Sequence, residues 1–163
     1  MGDLAKAANL SRPALYLVFP SKVQIFTAVI TRVFAEMLRE IREGMHGIEY
    51  PAEQLMFAFE VWCVRPFEII KASPDAADLL ENGYKLAGNV TQSAVADFQK
   101  IIVDLFRSAI SDTTATRATP AQAAQILVNA TYGLKTGAKN AVQLRKMLRG
   151  LIELLLAGLG AHV

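Results

Sequence analysis

Apolar residues recur at intervals of three and four along this whole chain, and nowhere do they alternate with period two over the length of a strand. That periodicity predicts an all-α fold. Proline and glycine fall between the periodic blocks, where helices should end. Ser21-Lys22-Val23-Gln24 predicts a capping box opening a helix that runs to about Gly44. Thr119-Pro120-Ala121-Gln122 predicts another, with proline at the first helical position. Ser73-Pro74-Asp75 predicts a shorter helix, and Asn89-Val90-Thr91-Gln92 the cap of one reaching about Ser111. From Pro51 to Ala72 the run Leu55, Met56, Phe57, Phe59, Val61, Trp62, Val64 is apolar nearly all round, which predicts a buried helix bent at Pro66.

The last helix, from about Ala141 to Gly160, carries one apolar row at Leu144, Leu148, Leu151, Leu155 and Leu159, and a second at Met147, Ile152, Leu154 and Leu156. Two apolar faces need two partners. The chain's own body can cover one, which leaves the other for a second copy, most simply across a two-fold axis. Gly133 and Gly137, one turn apart on the preceding helix, permit close helix approach. The expected homodimer interface is therefore Gly133, Gly137, Leu144, Leu148, Leu151, Leu155 and Leu159. The competing reading is a central helix covered on both sides by its own chain.

Composition narrows the function. With 163 residues and 53% hydrophobic content the chain can bury a sizeable core, while a net charge of only +2 means that any affinity for nucleic acid must come from a local patch. A single cysteine, Cys63, excludes an intrachain disulfide and a multi-cysteine zinc site, and fits a reducing compartment. Met1 is followed by Gly2 and Asp3 rather than by a basic and then an apolar run, so no signal peptide is legible. Met147 to Leu159, the most apolar stretch, is broken by Arg149 and Glu153 and is too short to span a bilayer. A soluble, cytoplasmic protein is expected. His46 and His162 have no neighbouring Cys, Ser or carboxylate at catalytic or metal-ligand spacing, and Cys63 sits in an apolar helix. No catalytic residue, metal site or cofactor is expected, and an all-α enzyme is the remote alternative.

Asp3 to Phe26 carries the chemistry. A helix-turn-helix needs small residues between its helices, a turn position tolerant of positive φ, and a second helix with side chains short enough to approach a groove. Ala5 and Ala8 are the small residues, with Leu4, Leu10 and Leu15 as apolar contacts. Asn9 occupies the turn, asparagine being the non-glycine residue best suited to the left-handed region. Ser11 caps the second helix, and Pro13 falls in its first turn, where no intrahelical donor is lost. Arg12, Pro13, Ala14, Tyr16 and Leu17 should point outward, with Leu15 and Phe19 inward. Arg12 suits a guanine edge or a phosphate, Tyr16 a phosphate, and Ala14 or Pro13 a thymine methyl. Lys22 adds an ammonium to the anion-attracting first turn of the next helix.

The run Leu4-Ala5-Lys6-Ala7-Ala8-Asn9-Leu10-Ser11-Arg12-Pro13-Ala14-Leu15-Tyr16-Leu17-Val18-Phe19-Pro20-Ser21-Lys22 resembles the signature of the TetR family of bacterial transcriptional regulators. That signature is a small-residue helix, a Gly-Val-Ser turn, Leu-Tyr-x-x-Phe in the recognition helix, and Ser-Lys opening a linker helix. Asn9 and Leu10 stand where Gly and Val are usual, and Val18 where His or Tyr is frequent. The family places a further helix before this segment, whereas here only Met1 and Gly2 precede it, so a truncated form, an internal start or a fragment is expected.

The resemblance implies a partial helix-turn-helix head at 1–27 and a helical ligand-binding and dimerisation body at 28–163, with the linker helix over about 22–44. It also implies a repressor that binds double-stranded operator DNA as a homodimer and is released by a small, largely apolar effector. The alternative is a truncated dimerisation and ligand-binding module that no longer binds DNA. For the effector site the candidates are Phe59, Trp62, Cys63, Phe67, Phe98, Ile102, Phe106 and Tyr132, with Asn129 as a polar anchor. Glu60, a carboxylate set in the apolar run, must find solvent, a partner or a ligand cation.

Overall fold

The computed structural model describes residues 2–73, 87–110 and 118–160, and every regular element in them is helical. Two short helices, α1 (Gly2–Ala7) and α2 (Arg12–Val18), pack on each other and lead into α3 (Lys22–Gly44). Next come α4 (Pro51–Phe59), a π-helical turn (Glu60–Val64) and α5 (Arg65–Ala72). The body is completed by α6 (Gly88–Ala109), α7 (Pro120–Gly137) and α8 (Ala141–Gly158). The short helix expected to start at Ser73-Pro74-Asp75, and His162, lie outside the described residues.

The starts of α3, α7 and α8 each show their local cause in a side-chain cap. Thr119 forms the full capping box: its hydroxyl accepts from the Gln122 amide at 3.2 Å, and the Gln122 side chain accepts from the Thr119 amide at 2.8 Å. Ser21 makes only half of one, accepting from the Gln24 amide at 3.2 Å. Asn140 caps α8, accepting from the Gln143 amide at 2.9 Å, while the Gln143 side chain reaches back to the Lys139 amide at 2.9 Å. That signal was readable in Asn140-Ala141-Val142-Gln143 but hidden by the apolar rows after it.

Two expectations are corrected. Asn89 is not a cap, because α6 already starts at Gly88, with Ala87 at the capping position and no side-chain cap. Burial decides this: Ala87 is 3% exposed against Ile30 and Phe34 of α3, and its carbonyl accepts from both the amide and the hydroxyl of Thr91. Nor does Pro66 simply bend one helix. The missing proline N–H and its ring are accommodated by the wider π turn just before it, where the Arg65 amide donates to the Glu60 carbonyl.

The central helix is α6, which packs on α3, α4 and α7. Its buried face, Phe98, Ile102 and Phe106, shares one core cluster with Leu55 and Phe59 of α4, Leu127 of α7, and Leu144, Leu148, Ile152 and Leu156 of α8. A smaller cluster joins Ile30 and Phe34 of α3 to Ala87 and Ala94, with Trp62 packed against both clusters. Arg145 of α8 holds Glu60 through two bonds of 2.8 and 2.6 Å and touches Glu68 at 3.1 Å. The isolated carboxylate in the apolar run is thus satisfied by an ion pair. One turn on, Arg149 donates to Glu53 at 2.7 Å and holds that carboxyl below its ordinary range.

Candidate nucleic-acid interface and central cleft

The head forms as its residues dictate. Asn9 has φ 55°, the one non-glycine residue in the left-handed region among those described, and the Leu10 amide then donates to the Ala5 carbonyl at 2.9 Å. Ser11, extended at φ −70° and ψ 152°, accepts from the Ala14 amide at 3.2 Å, with Pro13 in the first turn. Ala5 and Leu15 are buried between the helices, Phe19 is half-buried and its amide closes α2 on the Leu15 carbonyl, and Ala8 is exposed. An Asn9→Val chain is expected to unfold with about 1–2 kcal/mol less free energy, since a β-branched residue tolerates this φ poorly, whereas Asn9→Gly should be neutral or better. Urea unfolding of the two variants gives the comparison.

Of the six residues expected to face DNA, Arg12, Pro13, Tyr16, Leu17 and Lys22 are exposed and Ala14 is half-buried beside Leu15. The Arg12 guanidinium lies 6.0 Å from the centre of the Tyr16 ring, so the charge and the phenol share one face of α2. Residues 1–29 hold Lys6, Arg12 and Lys22 against Asp3, so the whole net charge of +2 resides there and residues 30–163 are balanced. The chain's excess of positive charge is therefore carried by the head, where affinity for nucleic acid would have to arise.

The candidate effector residues divide into two sets. Phe59, Phe98, Ile102 and Phe106 are 0% exposed and fill the core solidly, with Phe59 edge-on to Phe98 at 5.1 Å, which corrects their assignment to a pocket. Asn129 is corrected too, lying exposed in an open groove with Gln122 and Ile126. Trp62, Cys63, Phe67 and Tyr132 do come together, around a cleft of about 320 Å³ completed by Phe34, Met37, Pro66, Ile70, Thr91, Val95 and Lys135. Trp62 is its hinge wall, stacked on Phe98 at 4.4 Å and 6° and against Phe34 at 5.4 Å and 28°. Phe34 and Met37 were missed because on α3 they read only as an amphipathic stripe, and the signal for Lys135 was a lone cation one turn after Tyr132.

Burial pushes the Cys63 thiol up to about 11, against a smaller downward pull from Lys135. At pH 8 that leaves about one molecule in a thousand as thiolate, compared with roughly one in four for a free thiol. A chromogenic disulfide reagent should therefore label the native chain at least about a hundredfold more slowly than the urea-unfolded chain. Equal rates would contradict the burial.

The outer faces of the last two helices also need correction. Leu144, Leu148 and Leu159 are at most 1% exposed, consumed by the chain's own core, so they are not available to a partner. Leu151 and Leu155 are half-buried; Leu154, 73% exposed, continues the flank of α8 opposite Arg145 and Arg149. On α7 the residues Ile126, Ala130, Gly133 and Gly137 share one face, where a Cβ added at Gly133 would meet nothing within 4 Å. At Gly137 it would come 3.9 Å from the Met147 side chain, so the two faces adjoin.

Among the described residues no three His, Cys, Asp or Glu side chains are grouped to hold a metal ion, and no single helix is long and apolar enough to cross a membrane. The family model for bacterial regulatory proteins of the tetR family matches residues 1–29. No curated protein and no solved structure matches the chain.

Proposed function

We propose that this chain, a member of the tetR family of bacterial regulatory proteins, is a cytoplasmic transcriptional repressor: a homodimer that holds operator DNA through residues 1–27 and releases it when a small, largely apolar effector enters the body, residues 28–163. One observation carries the effector half of this reading. Phe34 and Met37, which line the cleft, belong to the same continuous helix whose first turn, at Ser21 and Lys22, follows α2 directly. An occupant that displaces Trp62 from Phe34 acts on the helix that carries the head, and it shifts DNA affinity by as much as it favours one placement of α3 over another.

Dimerisation in this reading uses the small-residue face of α7 (Gly133 and Gly137) with Leu151, Leu154 and Leu155 of α8, two helices from each copy about a two-fold axis. A second reading, a module that dimerises and binds effector without holding DNA, has one observation in its favour: Leu4, Leu10, Leu17 and Val18 are 44%, 45%, 87% and 63% exposed on the head.

The test is fluorescence anisotropy of labelled DNA from upstream of the gene, at several salt concentrations, with light scattering on the same sample. Binding that weakens linearly with the logarithm of salt, by a dimer, supports the repressor. A dimer with no measurable DNA affinity at low salt selects the second reading, and a monomer removes the dimer from both.

A further inference from the structure

We propose that the central cleft takes a compact aromatic carboxylate, its ring against Trp62, Phe67 and Val95 and its anionic head on the Lys135 ammonium. The inference deepens the effector reading above and rests on it. Among the described residues lining the cleft, Lys135 is the one charged side chain and none is a carboxylate. Among the described residues, the acids on the adjoining turn and helix, Glu60 and Glu68, are both engaged by Arg145. Lys135 itself has no carboxylate partner among the described residues: its Nζ lies 4.9 Å from the centre of the Tyr132 ring, and the side chain is half-buried. An ammonium on the cleft wall without a carboxylate partner gains from an anion and repels a cation.

The walls set the rest of the ligand. Four aromatic side chains, Phe34, Trp62, Phe67 and Tyr132, line the cleft, which favours a compact apolar body. The cleft's volume of about 320 Å³ is at the low end for ligand sites, and the stack of Trp62 on Phe98 closes it towards the core, so no channel continues inward for a long acyl chain.

Trp62 is the chain's one tryptophan, so its emission reports directly from the cleft. The experiment titrates the full chain with 3-phenylpropionate, 3-phenylpropanamide and 3-phenylpropylamine, reading Trp62 fluorescence with calorimetry as a second measure. The acid should bind about tenfold or more tighter than the amide, the size of one charge-assisted contact, and the amine should not bind. Lys135→Met should bring the acid down to the level of the amide without changing the amide, and Lys135→Arg should keep most of the difference. If acid and amide bind alike and Lys135→Met changes neither, the anionic class is overturned while an effector site remains. A preference for the amine overturns it as well. If none of the three perturbs Trp62 or gives heat, the effector reading of the cleft falls with it.

Discussion

Replacing Phe98 with alanine is expected to remove about 3–5 kcal/mol of unfolding free energy, a large share of the ~5–15 kcal/mol that holds a typical domain together. Phe98 is 0% exposed on the central helix, with the Phe59 ring edge-on at 5.1 Å and Trp62 stacked at 4.4 Å. Its neighbours come from separate elements, α4 and the π turn, so no single side chain can move into the vacated space without uncovering another. Each lost ring contact adds roughly 0.5–1.5 kcal/mol beyond the area that is uncovered. Trp62 would also lose one stacked face beside a cleft open to water, so its emission should shift to the red in the folded state. Urea unfolding should show a lower midpoint with an unchanged slope, meaning the same surface is exposed on unfolding. A midpoint equal to that of the parent chain would contradict the packing described for α6.

The second large effect concerns the head. Arg12→Ala is expected to cost about 1–3 kcal/mol of DNA affinity, roughly five- to 150-fold, and to relax sequence preference if the guanidinium reads a base edge. Lys22→Ala should weaken all sequences to a similar degree and lower the salt slope by about one, as expected for a lost phosphate contact. Arg12 and Tyr16 lie on one face with the guanidinium 6.0 Å from the ring, so the double replacement Arg12→Ala with Tyr16→Phe should not be the sum of the two. Anisotropy titrations across a salt series measure all three. Unaltered affinity in Lys22→Ala and Tyr16→Phe would refute a phosphate role for either.

How far these features were legible in the sequence depended on whether their cause was local. Ser11, Asn9 and Thr119 act within three or four residues of themselves, and the hydroxyl caps and the positive φ are found where the sequence placed them. The all-α fold follows from periodicity, which is likewise local. The cleft is different, because its walls come from α3, the π turn, α5, α6 and α7, and no spacing within one helix tells a cavity wall from a core contact. Phe67 and Phe106 look alike in the sequence; only packing sends one to the cleft and the other into the core. The same ambiguity misplaced Leu144 and Leu148, since a row of leucines reveals that a face is covered but not which neighbour covers it. Glu60 was legible as a problem, a carboxylate needing a partner, though Arg145 lies 85 residues away.

The π turn at Glu60–Val64 has a consequence for chain length. A turn closed over five residues instead of four holds one residue more than an α-helix of the same rise, and each residue of an α-helix advances the side-chain direction by about 100°. Deleting one position between Val61 and Val64 would remove that spare residue and restore a regular pitch, while the residues after it keep the directions they have now. Phe67 would stay at the cleft and Glu68 beside Arg145, and the strain would fall on Pro66 instead. The spare residue and Pro66 belong together: an uninterrupted α-helix through this stretch would set the proline ring against the carbonyl four positions before it.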